Sequence, residues 1–440
     1  MKSITLVNFV PTLEGETTTP LGPLYVASIL ENAGCEVDFR DYQLVSNQNA
    51  LTQKRILDFF SNAHNTVGVS CYFNTLPFVL LSLQEIKNQY PEKTIILGGP
   101  GPTSVADKIV QRFPFIDILV GGEGEHTILD LAKGVPKKDI KGITYQSDGK
   151  VIRNPPRERI NLDTLPFPAY NKIDFSQYDT AGIITTRGCP YHCTFCEAAP
   201  LWGHHTERRS VSNVVSEIKM LHHQFGVKSI HINDDTFVLS RKWVLEFCNH
   251  LKTENLDITW RCLGRINLMD EDLISNMADA GCTGIQYGIE SGSDRILNLI
   301  GKQITVQQIK KVMEMSVDYI ENVSSSFIWG FPFETMDDFY ETIFFMGIMA
   351  DLGCHIKFFF LSPLPLSPLY KKYSSQLRFD EKYISNLLFG VVKDKIPPGE
   401  KEQLLQMIVQ NPDIFSGFFY IHAPDVDKKY RVLKEAGLIH

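Results

Sequence analysis

Three cysteines fall within eight residues, in the stretch Thr186-Arg187-Gly188-Cys189-Pro190-Tyr191-His192-Cys193-Thr194-Phe195-Cys196. The spacing is C-x3-C-x2-C. Three thiolates on one short loop can each hold one iron of a cubic four-iron cluster and leave the fourth iron open to another ligand. A purely electron-carrying cluster usually has four cysteines. With cysteine at this frequency, chance produces such a spacing in about four chains per thousand, so the loop is a feature to explain. The competing assignment is a zinc knuckle of Cys189, Cys193, Cys196 and either His192 or His204. Zinc sites usually pair two C-x2-C knuckles, and no second one follows. Cys35, Cys71, Cys248, Cys262, Cys282 and Cys354 are scattered among apolar neighbours and read as small core residues.

The elements that must position this loop form a βα series. Strands at 182–186, 229–233, 258–262, 284–289, 323–329 and 356–361, with helical patterns between them, predict a partial (β/α)6 barrel over 181–372. Barrel active sites sit at the carboxyl ends of the strands, where the cysteine loop falls. Residues 1–138 form an earlier series, with strands at 3–10, 36–42, 66–70, 94–97 and 116–120 and helices at 24–33, 53–63 and 80–89. That alternation predicts a doubly wound, flavodoxin-like sheet whose ligands lie beyond the strands' carboxyl ends. Residues 139–180, with Pro155, Pro156, Pro166 and Pro168, read as a linker running over the surface of both halves and carrying a hairpin at 142–152. Residues 373–440 carry apolar helical patterns at 383–392, 400–409 and 430–436. They read as a helical C-terminal cap on the barrel mouth.

Composition narrows the function classes. The 440 residues carry 43 Lys and Arg against 51 Asp and Glu, a formal charge of -8, with no basic run. Nucleic-acid binding is therefore not expected. No stretch of eighteen apolar residues exists, so no membrane span is expected. The first residues read as a strand, not as a signal peptide. An odd number of cysteines without a secretion signal points to the cytoplasm.

The segment 181–372 resembles the radical SAM enzymes, in which S-adenosylmethionine (SAM) docks on the open iron of a [4Fe-4S] cluster. The resemblance implies that Cys189, Cys193 and Cys196 hold the cluster. Phe195 would stack on the cluster or the adenine, or simply pack the loop. In His231-Ile232-Asn233-Asp234-Asp235-Thr236-Phe237, Asp234 or Asp235 would bond the methionine ammonium; capping a helix is the other role open to them. Arg265 resembles the basic residue near the SAM carboxylate, with a surface ion pair as the alternative. In Tyr287-Gly288-Ile289-Glu290-Ser291-Gly292, a subgroup pattern continued by Asp294, Leu297 and Lys302, Glu290 and Ser291 would bond the ribose. Gly330-Phe331-Pro332-Phe333-Glu334-Thr335 resembles the family's Gly-x-Pro-x-Glu-Thr element, which puts Gly330 and Pro332 beside the adenine. Leu366-Ser367 departs from the Gly-Thr usual after the sixth strand.

The amino-terminal series lacks the G-x-G-x-x-G that a nicotinamide-binding domain needs after its first strand. Methylthiotransferases carry a second three-cysteine cluster in this position, and only Cys35 and Cys71 are present. The segment instead resembles the cobalamin-binding domain fused to many radical SAM enzymes. The matching loops contribute Leu21 and Gly22; Ser70; Gly98, Gly99, Pro100 and Thr103; and Gly121, Gly122 and Glu123. Small residues there admit a corrin and its tail, or serve only as tight βα turns. No histidine stands two residues after an aspartate, so a lower-face histidine of the Asp-x-His-x-x-Gly type is not expected. Tyr72, Asn74 or a water would lie beneath the cobalt.

The combined resemblance implies reductive cleavage of SAM, hydrogen abstraction by a 5'-deoxyadenosyl radical, and methyl transfer from methylcobalamin to an unactivated carbon. A flavodoxin or ferredoxin would supply electrons, and the substrate would be a small molecule or natural-product intermediate. Three alternatives stay open: a non-methylating enzyme of the same build (cyclisation, ring contraction or oxidation), a methylthiotransferase, and a non-catalytic cobalamin or cluster sensor. Phe389, Phe415, Phe418, Phe419 and Tyr420 would line an apolar pocket or form ordinary core. His204 and His205 touch substrate or sit on a solvated loop.

Overall fold

The computed structural model describes residues 1–9, 16–45, 52–384 and 396–439. Val10, Phe389 and most of the helix expected at 383–392 lie outside them. The chain divides into two compact units, Met1–Thr180 with Leu387–Phe418, and Ala181–Asn386 with Phe419–His440.

The first unit runs β1 (Ser3–Asn8), α1 (Leu21–Asn32), β2 (Glu36–Asp41), α2 (Gln53–Phe60), β3 (Thr66–Ser70), α3 (Leu76–Gln89), β4 (Thr94–Gly98), α4 (Pro100–Thr103), α5 (Ala106–Arg112), β5 (Ile118–Val120) and α6 (Glu125–Ala132). A hairpin follows, β6 (Ile143–Ser147) and β7 (Lys150–Arg153). The sheet order is β2-β1-β3-β4-β5-β6-β7. The first five strands are parallel. The inner β4 carries a continuous apolar run, Ile95-Ile96-Leu97, as a strand covered on both faces requires, while the edge strand β2 alternates Val37-Asp38-Phe39-Arg40. α1 ends where Gly34 turns at φ 79° and the Cys35 N–H reaches back to the Leu30 carbonyl at 3.0 Å, a left-handed cap that glycine adopts without strain.

The expected linker hairpin is instead part of this sheet. β6 pairs antiparallel to β5 through Leu119 and Thr144. Ile143, Thr144 and Tyr145 are buried there. An apolar strand face gains more by extending an existing sheet than by lying in solvent.

The second unit runs β8 (Ala181–Ile183), β9 (Thr186–Arg187), α7 (Ala198–Leu201), β10 (Glu207–Arg208), α8 (Val211–Phe225), β11 (Ser229–Ile232), α9 (Arg241–Glu254), β12 (Thr259–Gly264), α10 (Glu271–Asp279), β13 (Cys282–Glu290), α11 (Asp294–Leu299), α12 (Val306–Tyr319), β14 (Asn322–Trp329), α13 (Met336–Asp351), β15 (His355–Phe360), α14 (Pro368–Tyr373) and β16 (Leu377–Arg378). α15 (Pro398–Gln410) belongs to the first unit, and β17 (Tyr420–Ile421) and α16 (Val426–Glu435) return to the second. The C-terminal residues expected as one helical cap therefore divide between two cores.

The six parallel strands lie in the order β15-β14-β13-β12-β11-β8, the wall of a partial barrel. Helix starts are written in side chains: Ser210, Ser240 and Asp270 cap α8, α9 and α10, and Thr305 and Thr335 form capping boxes on α12 and α13. Among the described residues no helix is long and apolar enough to cross a membrane.

Candidate active site

The cysteine loop leaves the carboxyl end of β8 and is held at both ends. Asp234, just past β11, accepts the N–H groups of Thr185 and Thr186 at 2.7 and 2.9 Å and also the Thr185 hydroxyl. Further along, the Thr194 N–H donates to Ile300 at 2.9 Å, and the Thr194 carbonyl accepts the Leu369 N–H at 2.8 Å. Gly188 turns at φ 103°, and a side chain there would run into the His205 carbonyl. Only glycine serves at that point.

The three thiols are half-buried and near enough to act on one another electrostatically. Burial first, then Cys193, Asp235 and Cys189, push Cys196 up to about 12, against the Ala198 N–H that donates to its sulfur at 3.4 Å. Cys189 is raised by burial first and then by Asp235 and Cys193, against the Tyr191 N–H and the Thr236 hydroxyl. Thiols held this way are poor free thiolates; a cation binds by displacing their protons and relieving their mutual repulsion. Among the described residues no three His, Cys, Asp or Glu side chains converge to hold a single metal ion. Three soft thiols on one short loop fit the three protein corners of an iron–sulfur cubane.

The residues expected around SAM divide. Asp235 is exposed and acts electrostatically on Cys189 and Cys196. Asp234 is not available to a ligand: it is fully buried, and its oxygens are taken by Thr185 and Thr186. Burial pushes its carboxyl above the ordinary value, against those hydrogen bonds. Ser291 is also a correction, because its buried hydroxyl bonds Thr342 at 3.0 Å and accepts the Ser293 N–H at 3.1 Å.

Glu290, at φ 74°, forms a buried ion pair with Lys302 at 2.8 Å. Gly330, at φ 91°, donates its N–H to Glu334 at 3.0 Å and abuts the Phe360 ring, while Pro332 is half-buried in the same loop. Phe195 packs edge-on to Phe331, ring centroids 6.1 Å apart. Arg265 is neither exposed nor in a surface ion pair. It is 7% exposed, its guanidinium lies 3.5 Å over the Tyr191 ring, and Nη1 reaches the Cys193 sulfur at 3.8 Å.

At the carboxyl edge of the first unit's sheet, Gly22 and Gly122 are exposed with open space where a side chain would stand. Leu21 is buried beside Gly22, and Ser70, Asn74, Gly98 and Gly121 are half-buried. Tyr72 is 57% exposed, unusual for a large aromatic. Gly99 turns at φ 97° against the Cys71 backbone, and Thr103 donates its hydroxyl to the Gly99 carbonyl at 2.7 Å; Pro100 between them is exposed. An open edge of small residues beside one exposed aromatic fits a broad planar ligand. Glu123 does not share in it, because its buried carboxylate accepts the Ile160 N–H at 3.0 Å and pairs with Arg159 at 3.3 Å.

Tyr191 and Lys429 were not legible as site residues. An aromatic two residues from a cysteine on either side had no distinctive signal. Lys429 lies 95 residues from the Glu334 that it pairs with at 2.8 Å. The described C-terminal aromatics are packing groups: Phe415, Phe418 and Phe419 are buried, and the Tyr420 ring packs tilted against Tyr383, centroids 4.5 Å apart. The His204 ring stacks on His192 at 4.3 Å.

Residues 183–346 match the model of the radical SAM superfamily, and residues 13–132 match that of the B12 binding domain. The chain is 33% identical over 342 residues to an uncharacterized methyltransferase of Pyrococcus horikoshii, covering 75% of this chain and 73% of that one. It is 28% identical over 352 residues to the anaerobic magnesium-protoporphyrin IX monomethyl ester cyclase of Rubrivivax gelatinosus, covering 75% and 62%. The cobalamin-dependent SAM radical enzyme OxsB, solved with aqua-cobalamin and SAM bound, superposes with a TM-score of 0.74 at 18% identity, over 100% of this chain and 66% of that one. Similarity at that identity speaks to fold alone.

Proposed function

Because the chain belongs to the radical SAM enzymes that carry a cobalamin-binding domain, we propose that it is a methyltransferase acting on an unactivated carbon of a small molecule. The observation that carries the reading is the three-thiol loop at the carboxyl end of β8, in one chain with an open glycine-lined edge on a flavodoxin-like sheet. Bound together, the [4Fe-4S] cluster, SAM and cobalamin would supply one-electron cleavage of SAM, hydrogen-atom abstraction and a transferable methyl group.

The chain's own residues bind and position. Cys189, Cys193 and Cys196 supply the three thiolates, and Asp234 fixes the loop by gripping Thr185 and Thr186. Asp235, exposed past β11, is the carboxylate offered to the SAM ammonium. Gly330 and Pro332, backed by Glu334 and Lys429, form the wall against which an adenine would rest. Phe195, packed on Phe331, excludes water from the loop. Gly22, Gly98, Gly99, Gly121 and Gly122 permit backbone approach to the corrin, with Tyr72 or Asn74 beneath the metal. A flavodoxin- or ferredoxin-type donor would deliver electrons, and the cytoplasm is the compartment in which the loop's thiols stay reduced.

The cyclase relative favours one rival, radical chemistry without methyl transfer. Anaerobic reconstitution with iron, sulfide and cobalamin, followed by SAM, a reductant and candidate substrates, separates the two. The methyltransferase yields S-adenosylhomocysteine together with 5'-deoxyadenosine. 5'-Deoxyadenosine alone would replace methylation with the rival, and neither product, or zinc in place of iron, would refute both.

A further inference from the structure

Arg265 is a buried cation without a carboxylate. Among the described residues no Asp or Glu pairs with it, and its Nε has no hydrogen-bond partner. Its neighbour Lys302, 5.9 Å from the Phe195 ring, is neutralised by Glu290 at 2.8 Å. The loop therefore meets one compensated cation and one that is not. A buried, unpaired charge is costly, so such a residue implies an anion that completes it. Three contacts fix where that anion lies. The guanidinium stacks at 3.5 Å on Tyr191, Nη1 points at the Cys193 sulfur at 3.8 Å, and Nη2 donates to the Lys302 carbonyl at 2.6 Å. With Nη1 and Nη2 committed in this way, the fork that would grip a carboxylate end-on is already occupied.

We propose that Arg265 is a redox-positioning residue: held against Cys193 by Tyr191, its guanidinium raises the reduction potential of the cluster on this loop. The inference rests on the cluster reading of the same loop. Reduction adds one negative charge to the cluster, and a fixed cation beside one of its sulfurs stabilises that charge. Hydrogen bonds to the sulfurs and local net charge are among the factors that set iron–sulfur potentials. Asp235 is the anion that acts on Cys189 and Cys196. The cation contacts the Cys193 sulfur, and removing it shifts the balance toward the oxidised state.

The test is a dithionite titration of the anaerobically reconstituted full chain, followed by electron paramagnetic resonance in the absence of SAM. Arg265→Gln should make the cluster at least tenfold harder to reduce, a midpoint lowered by about 59 mV for a one-electron couple. Arg265→Lys should fall between Arg265→Gln and the wild type. Tyr191→Leu, which frees the guanidinium, should move the midpoint in the same direction. An unchanged midpoint in Arg265→Gln with a raised KM for SAM would overturn the proposal and return Arg265 to the SAM carboxylate. If Arg265→Gln takes up no iron, wild-type midpoints in both Arg265→Lys and Tyr191→Leu would overturn it equally. A wild-type chain that assembles no cluster would sink the cluster reading itself, and this inference with it.

Discussion

Replacing Lys429 with Met tests how the Gly330–Thr335 loop is held. The Lys429 ammonium donates to the Glu334 carbonyl at 2.6 Å and to Glu334 Oε2 at 2.8 Å, and the two side chains are 1% and 0% exposed. Oε2 also accepts the Gly330 N–H at 3.0 Å, while Oε1 is buried without a partner. Removing the amine therefore leaves a carboxylate that neither solvent nor another cation can compensate. Losing one partner of a buried pair destabilises by about 3–5 kcal/mol. In a unit of this size each kcal/mol shifts Tm by roughly 2–4 °C, so K429M should unfold about 6–20 °C lower. The assay reports on the right unit, because all four tryptophans (Trp202, Trp243, Trp260 and Trp329) lie in it and Trp329 belongs to the same apolar cluster as α16's Val426 and Leu433. K429M/E334Q should recover most of the loss, since an amide can still accept the Gly330 N–H and carries no charge. A K429M shift below about 2 °C, or a double variant whose losses simply add, would refute a buried pair with this role.

Three further outcomes follow from named contacts. Asp234→Ala leaves the Thr185 and Thr186 N–H groups without their acceptor, so stability should fall by about 1–3 kcal/mol and iron uptake should drop with it, read by tryptophan-monitored unfolding and iron content. Cys193→Ser should abolish cluster assembly, whereas Cys282→Ser, in a buried strand position, should leave the visible spectrum of the reconstituted protein intact. For Asp338, burial alone would raise the carboxyl, but hydrogen bonds from Arg295, Thr335 and Ser293 outweigh it and hold it below the usual carboxylate range. Its stabilisation is complete above the unfolded value near 4 and is lost as pH falls toward the lower folded one. The Tm of wild type should therefore drop from about pH 4 downward more steeply than that of Asp338→Asn.

What could be read from the chain alone was local. Ligand spacing in a loop is set by the covalent chain, so C-x3-C-x2-C was visible without a fold. Parallel strands covered on both faces read as short apolar runs, which made β4 with its Ile95-Ile96-Leu97 easy to place. Partner choice at a distance was not legible. The hairpin at 142–152 was recognisable as a hairpin, but its addition to β5 depends on Leu119 meeting Thr144. Asp234 and Asp235 are neighbours with the same chemistry. Only the direction of the chain past β11 decides which carboxylate is buried on Thr185 and which faces solvent. Apolar periodicity in the C-terminal segment gave helices without saying which core each would join, and α15 and α16 joined different ones.

The same edge of the second unit stands out in its backbone and charges, independently of any motif. The strand bodies obey ordinary folding rules, with Ile230, Ile232, Ile285, Tyr287 and Phe327 all buried. Three left-handed residues stand where strands end: Gly188 at φ 103°, Glu290 at φ 74° and Gly330 at φ 91°. Two of the unit's buried ion pairs, Lys302–Glu290 and Lys429–Glu334, lie at the same ends. A left-handed glutamate and buried ion pairs are features that stability alone does not favour, and they persist where a site requires them. Their coincidence with the thiol loop means that even if the cysteines had been overlooked, the carboxyl ends of β8, β13 and β14 would still be where substitutions should alter activity more than their effect on folding explains.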